Sequence, residues 1–221
     1  MLAILYSFRR CPYAMRARYA LVKLGTQVEL REVVLKNKPE ALLNLGGRST
    51  VPQLLVGAQR FPESMDIMFW AIEHAKDQTM AEQLWPAQAQ QQAKIRAWIG
   101  FNDHCFKPWL DRYKYADRHP EFPESYYRQK GERFLQRLET RLAHSPYLLG
   151  AQMTLADMAV FPFIRQFAGV NSQWFETSPY PHLKRWLTAF LQSDDFKTVM
   201  LKYPAWEEGQ TPIYFPEPSQ E

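Results

Sequence analysis

The sequence predicts a small α/β domain over residues 1–76, a linker over 77–89 and an all-helical domain over 90–221 that ends in a proline-rich tail. Three observations carry this reading. The first seventy-odd residues alternate short apolar runs with amphipathic stretches. A polar, Gln-rich stretch then breaks the pattern. Beyond it, apolar residues recur at helical spacing wherever a pattern exists.

In order, Ala3-Ile4-Leu5-Tyr6 predicts a short buried strand. From Cys11 to Leu24 the pattern turns helical, with Ala17, Ala20, Leu21 and Leu24 on one face and Gly25 as the stop. Val28 to Val34 predicts a second strand, and Pro39 to Leu45 a short helix or turn. Gln53–Val56 and Gln59–Phe61 flank Gly57-Ala58, a hairpin signal. Ser64 to about His74 predicts a helix that turns Ile67, Met68 and Ala71 inward. The order is βαβ-α-ββα.

In the second half, Ile95, Trp98, Ile99, Asn102, Cys105, Phe106, Trp109 and Tyr113 form one long stripe. Pro108 should bend or locally break that helix. Cys105 is expected to be packed core. Tyr127, Phe134, Leu135, Leu138 and Leu142 predict a second helix. A third runs from Thr154 to Phe167, opened by Thr154-Leu155-Ala156-Asp157, a capping box with Asp in place of Glu. Pro181 to Leu191 predicts a fourth. The tail after Tyr203, with Pro204, Pro212, Pro216 and Pro218, is expected to lie extended on the surface.

Composition narrows the function. Charged residues make up 23% of the chain and the net charge is +4, spread along the sequence beside acids, which argues against a nucleic-acid protein. Glycines number 9 and form no phosphate-binding loop. The five histidines lack metal-ligand spacing, so no metal is expected. No apolar run is long enough to span a bilayer. The two cysteines, Cys11 and Cys105, form no framework and fit a reducing, cytoplasmic setting.

The chemistry concentrates at Phe8-Arg9-Arg10-Cys11-Pro12-Tyr13-Ala14. A strand ends, the chain turns, and Cys11 falls at a helix N-cap with Pro12 at the first helical position, where a missing N–H costs nothing. A thiol there faces unsatisfied backbone amides and the positive end of the helix dipole, both of which stabilise a thiolate. The plainer alternative is a buried structural cysteine.

This segment resembles the glutaredoxin and glutathione transferase families, whose thioredoxin-like domain carries Cys-Pro-Tyr or Cys-Pro-Phe at this turn. Ala14 stands where a dithiol member has its second cysteine, so the resemblance implies a monothiol cycle. Leu35-Lys36-Asn37-Lys38-Pro39-Glu40 is similar to the segment after the second strand of omega-class transferases, which implies that Lys38 reaches the glycine carboxylate of glutathione. Val51-Pro52-Gln53-Leu54 resembles the family's cis-proline turn, which implies backbone pairing of Val51 and Pro52 with the cysteinyl part of the tripeptide. Either isomer of that bond is compatible with the sequence. Pro62-Glu63-Ser64-Met65 resembles the family's Glu-Ser turn. By that resemblance Ser64, read as an N-cap, holds the γ-glutamyl carboxylate, and Glu63 pairs with the ammonium.

The resemblance implies an omega-like, cysteine-type glutathione transferase with glutathione as co-substrate and no metal. It would act on a small electrophilic or disulfide substrate through a Cys11–glutathione mixed disulfide, as a homodimer. Phe8, Phe106, Trp109 and Tyr113 are candidates for a second-substrate pocket, although an aromatic stripe at helical spacing equally reads as core. Asp157 reads as structural. The alternatives are a monothiol relative of two-domain glutaredoxins and a non-catalytic scaffold or regulator on the same fold.

Overall fold

The computed structural model describes residues 2–217; Pro218 lies outside them. The chain divides into two compact units. One takes the residues up to Ala81 together with the chain from Ser193 on, and the other is Glu82–Gln192.

The first unit is built on β1 (Ile4–Ser7), α1 (Pro12–Lys23), β2 (Val28–Glu32), α2 (Glu40–Leu43), β3 (Gln53–Val56), β4 (Gln59–Phe61) and α3 (Ser64–Glu73). β1 and β2 run parallel, with Leu5 opposite Leu30, while β3 lies antiparallel to β1 on its other side, with Leu5 opposite Leu54. These three leucines have no exposed surface. α1 and α3 pack together, burying Leu21, Ile67 and Met68. Tyr6, Val33, Leu42 and Val51 form a separate buried cluster, and Phe8 and Leu45 pack against it. The sheet alternation of side chains produces two cores from one set of strands.

The tail departs from the sequence expectation. α11 (Asp194–Val199) packs on α1, and β5 (Ile213–Phe215) adds an antiparallel fifth strand beside β2, giving the order β4-β3-β1-β2-β5. The tail therefore belongs to the N-terminal unit rather than trailing from the helical one. Arg18 explains the attachment. Its side chain is fully buried, pairs with Glu32 at 3.2 Å, and lies 4.8 Å from the ring centre of Phe215 and 5.7 Å from that of Tyr203. A guanidinium this deep needs both an anion and aromatic faces, and the tail supplies the rings. The expected 77–89 linker also differs: α4 (Gln78–Leu84) occupies it, and the division falls at Ala81.

The second unit contains α5 (Ala89–Phe101), α6 (Lys107–Lys114), α7 (Glu124–Leu142), α8 (Leu155–Ala168), α9 (Ser172–Thr177) and α10 (Pro181–Gln192). Its centre is α8, which buries Phe161, Phe163, Ile164 and Phe167. Asp157 anchors the start of that helix. Its carboxylate accepts from the Thr154 N–H and hydroxyl, both at 3.0 Å, from the Leu148 N–H at 2.9 Å and from Trp186 Nε1 at 3.1 Å. Burial pushes its carboxyl above the usual range, against the pull of those four donors. Glu139 of α7 likewise accepts the His182 and Leu183 N–H groups at the start of α10.

Between α5 and α6 the chain makes a π turn, Asn102–Phe106, just before Pro108. Proline lacks the N–H and crowds the carbonyl four residues back, and a widened turn relieves both. The buried line runs through Ile95, Ile99, Asn102, Phe106, Leu110 and Tyr113. Cys105 stands one position off that line and is exposed, so the expected core cysteine is a surface cysteine. No helix among the described residues is long and apolar enough to cross a membrane.

Candidate functional site

Cys11 caps α1. Its φ and ψ of −76° and 124° are extended, its carbonyl accepts the Met15 N–H at 2.8 Å, and Pro12 follows at the first helical position. Its own N–H donates to the Phe8 carbonyl at 2.9 Å, which closes the loop leaving β1. The side chain is half-buried and makes no capping hydrogen bond to the helix amides. Instead Sγ lies 3.7 Å from the Val51 carbonyl oxygen.

The Val51–Pro52 peptide is cis. This answers the question that the sequence leaves open. Val51 and Pro52 are buried, and the turn sets the Val51 carbonyl beside the sulfur. Lys38 is half-buried, and its ammonium donates to Ser49 Oγ at 3.3 Å. This brings Lys38 to the segment that leads into the cis turn.

Ser64 is buried, and Arg16 Nε donates to its hydroxyl at 2.9 Å. The cap of α3 is one residue earlier than expected: Glu63 has the extended cap geometry, and Ser64 is the first helical residue. With Ser64 turned to Arg16, no side chain caps that helix, and Glu63 is left exposed. The structure thus ties Ser64 to α1 five residues beyond Cys11, and Cys11 and Lys38 both to the loop around Val51.

Two organising residues escape the sequence reading. Arg60 of β4 donates to Gln53 Oε1 at 2.7 Å and to the carbonyls of Leu45, Gly46 and Arg48 at 2.7, 2.8 and 3.0 Å. Gln53 follows Pro52, is fully buried, and donates to the Arg48 and Thr50 carbonyls at 3.0 and 2.8 Å. Together they satisfy the backbone of the loop before the cis turn, which has few ladder partners of its own. The one sequence hint is a glutamine in an otherwise apolar run, Gln53-Leu54-Leu55-Val56.

The aromatic candidates separate. Phe8 is half-buried in the N-terminal unit, against the Tyr6–Val51 cluster. Phe106 and Tyr113 are each only 1% exposed in the helical unit, where both pack on Phe167. That corrects their assignment as pocket walls: they are core, as the stripe's period alone would have it. Trp109 is half-buried beneath Arg112, 5.2 Å from the ring centre. No group of three His, Cys, Asp or Glu among the described residues is arranged to hold a metal ion.

The chain is similar to known proteins across both units. The family models for the glutathione S-transferase N-terminal and C-terminal domains match residues 5–79 and 86–189. Glutathione S-transferase U22 of Arabidopsis thaliana is 28% identical over 177 residues, covering 79% of this chain and 74% of that protein. Elongation factor 1-gamma of Drosophila melanogaster is 26% identical over 122 residues, which is 53% of this chain and 28% of that protein. A glutathione transferase family member from Pseudomonas fluorescens, solved with two glutathione bound, superposes with a TM-score of 0.76 at 20% identity, covering 90% of this chain and 92% of that one. With both domain models matched in order over most of its length, the chain belongs to the glutathione S-transferase superfamily.

Proposed function

We propose that this protein is a glutathione-dependent thiol transferase of the cysteine type, with Cys11 as its nucleophile. The observation that carries the reading is the sulfur at the start of α1 beside the Val51 carbonyl. The dipole of the helix favours the thiolate, while the nearby carbonyl favours the S–H form. The 3.7 Å contact lies within the range of a sulfur hydrogen bond, and this reading takes the helix contribution to be the larger.

In this reading, glutathione lies along the Val51–Pro52 turn. Lys38 meets its glycine carboxylate, and Ser64 with Glu63 meets the γ-glutamyl end. The Cys11 thiolate attacks the glutathionyl sulfur of a mixed disulfide, G–S–S–R. The Cys11–glutathione disulfide forms, and R–S⁻ leaves and takes a proton. A second glutathione thiolate then attacks the glutathionyl sulfur, releasing oxidised glutathione and the Cys11 thiolate. In sum, G–S–S–R and one free glutathione give oxidised glutathione and R–SH: the sulfur of R is reduced, one glutathione is oxidised, and the protein is unchanged. The glutathione bound in the Pseudomonas relative and the family match support this reading, which also takes the working form to be a cytoplasmic homodimer.

The test is intact-protein mass after incubation with oxidised glutathione, followed by peptide mapping. A glutathione adduct is expected on Cys11, lost in Cys11→Ala and kept in Cys105→Ala. An adduct confined to the exposed Cys105 would reverse the assignment. The second reading is a non-catalytic scaffold or regulator on the same fold. Failure to bind immobilised glutathione would favour that one.

A further inference from the structure

The N-terminal unit holds a recess beside the Cys11 loop, a cavity of about 470 Å³. Phe8, Arg9 and Arg10, the residues leading into Cys11, form one wall, and Val33 to Lys36 beyond β2 form another. Strand order places it on the β2 side of β1, opposite the β3 side that carries Val51. The third wall is the returning tail: Lys202, Tyr203 and Ala205. That wall is pinned on both flanks. Arg9 Nη1 donates to the Met200 carbonyl at 3.1 Å, and the Trp206 N–H donates to the Glu32 carbonyl at 2.8 Å.

The lining is apolar with an excess of cations. Val34 and Leu35 are 47% and 46% exposed, and Phe8 stands beside them. Arg9, Arg10, Lys36 and Lys202 face one acid, Glu32. Both oxygens of that acid are already engaged, by the Arg9 N–H at 2.7 Å and the buried Arg18 guanidinium at 3.2 Å. An apolar floor and an excess of cations match an amphipathic anion.

We infer that the group exchanged by Cys11 is an amphipathic anion, an apolar or aromatic body with a carboxylate, and that this cavity binds it, with Lys36 and Lys202 setting the preference. The inference rests on the Cys11 reading and names its substrate: the mixed disulfide of glutathione with an anionic thiol. Attack on the glutathionyl sulfur releases that anionic thiol into the cavity.

The test compares the mixed disulfides of glutathione with 4-mercaptophenylacetic acid and with its carboxamide. A methylene insulates the ring from the group that differs, so the leaving thiols are closely matched. The acid should be preferred by roughly tenfold in kcat/KM, the scale of one charge-assisted hydrogen bond. The preference should shrink as salt rises. It should fall to near one in the Lys36→Gln/Lys202→Gln double variant, both of whose sites are exposed. Equal turnover of the two, with the Cys11 adduct still forming, overturns this inference and leaves the thiol transferase reading standing. If Cys11 takes no glutathione, that reading falls, and binding decides the cavity. Titration of Cys11→Ser with 1-naphthaleneacetate and 1-naphthaleneacetamide should favour the acid by a similar factor. Equal affinity for the two would rule out an anion site.

Discussion

Arg16 Nε donates to Ser64 Oγ over 2.9 Å between two side chains that are each 2% exposed. A buried guanidinium on α1 thereby fixes the first residue of α3, on which the γ-glutamyl end of glutathione is proposed to rest. Arg16→Met keeps much of the apolar stem and deletes the donor. It should cost about 1–3 kcal/mol, since Ser64 then loses its partner in a dry site. At about 2–4 °C per kcal/mol for a chain of this length, thermal unfolding resolves that loss. The Michaelis constant for glutathione should rise with it.

Arg60 makes three hydrogen bonds to the loop before the cis turn and a fourth to Gln53 just after it. Arg60→Ala should loosen residues 45–50 and with them the Ser49 contact of Lys38. Retention on immobilised glutathione should weaken, and amide exchange in that loop should accelerate more than in β1.

Gly131 of α7 is buried against Phe167. A methyl group there would stand 2.6 Å from the Phe167 ring, which Phe106, Tyr113 and Trp174 hold in place. Helix propensity favours alanine by about 1 kcal/mol, but overpacking costs typically 1–3 kcal/mol. The clash should win: Gly131→Ala should lower the urea midpoint.

Tyr180 donates to Glu132 at 2.9 Å, and burial together with that carboxylate raises its phenol to about 12. The phenol of the unfolded chain ionises near 10, so between pH 10 and 12 the unfolded state binds fewer protons. Stability therefore falls as pH rises through that window. The stability advantage of the wild type over Tyr180→Phe should narrow from pH 9.5 to pH 11.5. A constant difference, followed by near-ultraviolet circular dichroism, would show that Tyr180 does not contribute.

Local signals were legible where one short segment contains its own cause. Cys11-Pro12 reads as a helix start because cap and first position are adjacent, and Thr154 to Asp157 reads as a capping box because its bonds close within one turn. What depends on distant partners was not legible. Ile213–Phe215 is too short to announce a strand, and it becomes one because β2 has an open edge and Arg18 needs aromatic cover. Nothing local to Arg16 or Arg60 shows that Ser64 or the 45–48 carbonyls await them. Ser64 looks like the better cap than Glu63 until Arg16 claims its hydroxyl. Phe106, Trp109 and Tyr113 share one period whether they line a cavity or fill a core, and the facing Phe134 and Phe167 make the first and third core.

In the proposed mechanism the opening of α1 holds the Cys11 sulfur as a thiolate. Its most direct measurement is the pH dependence of iodoacetamide alkylation at Cys11, in a Cys105→Ser background so that one sulfur reports. Half-maximal reactivity is expected well below the ~8.5 of a free thiol. A midpoint at or above that value would contradict it.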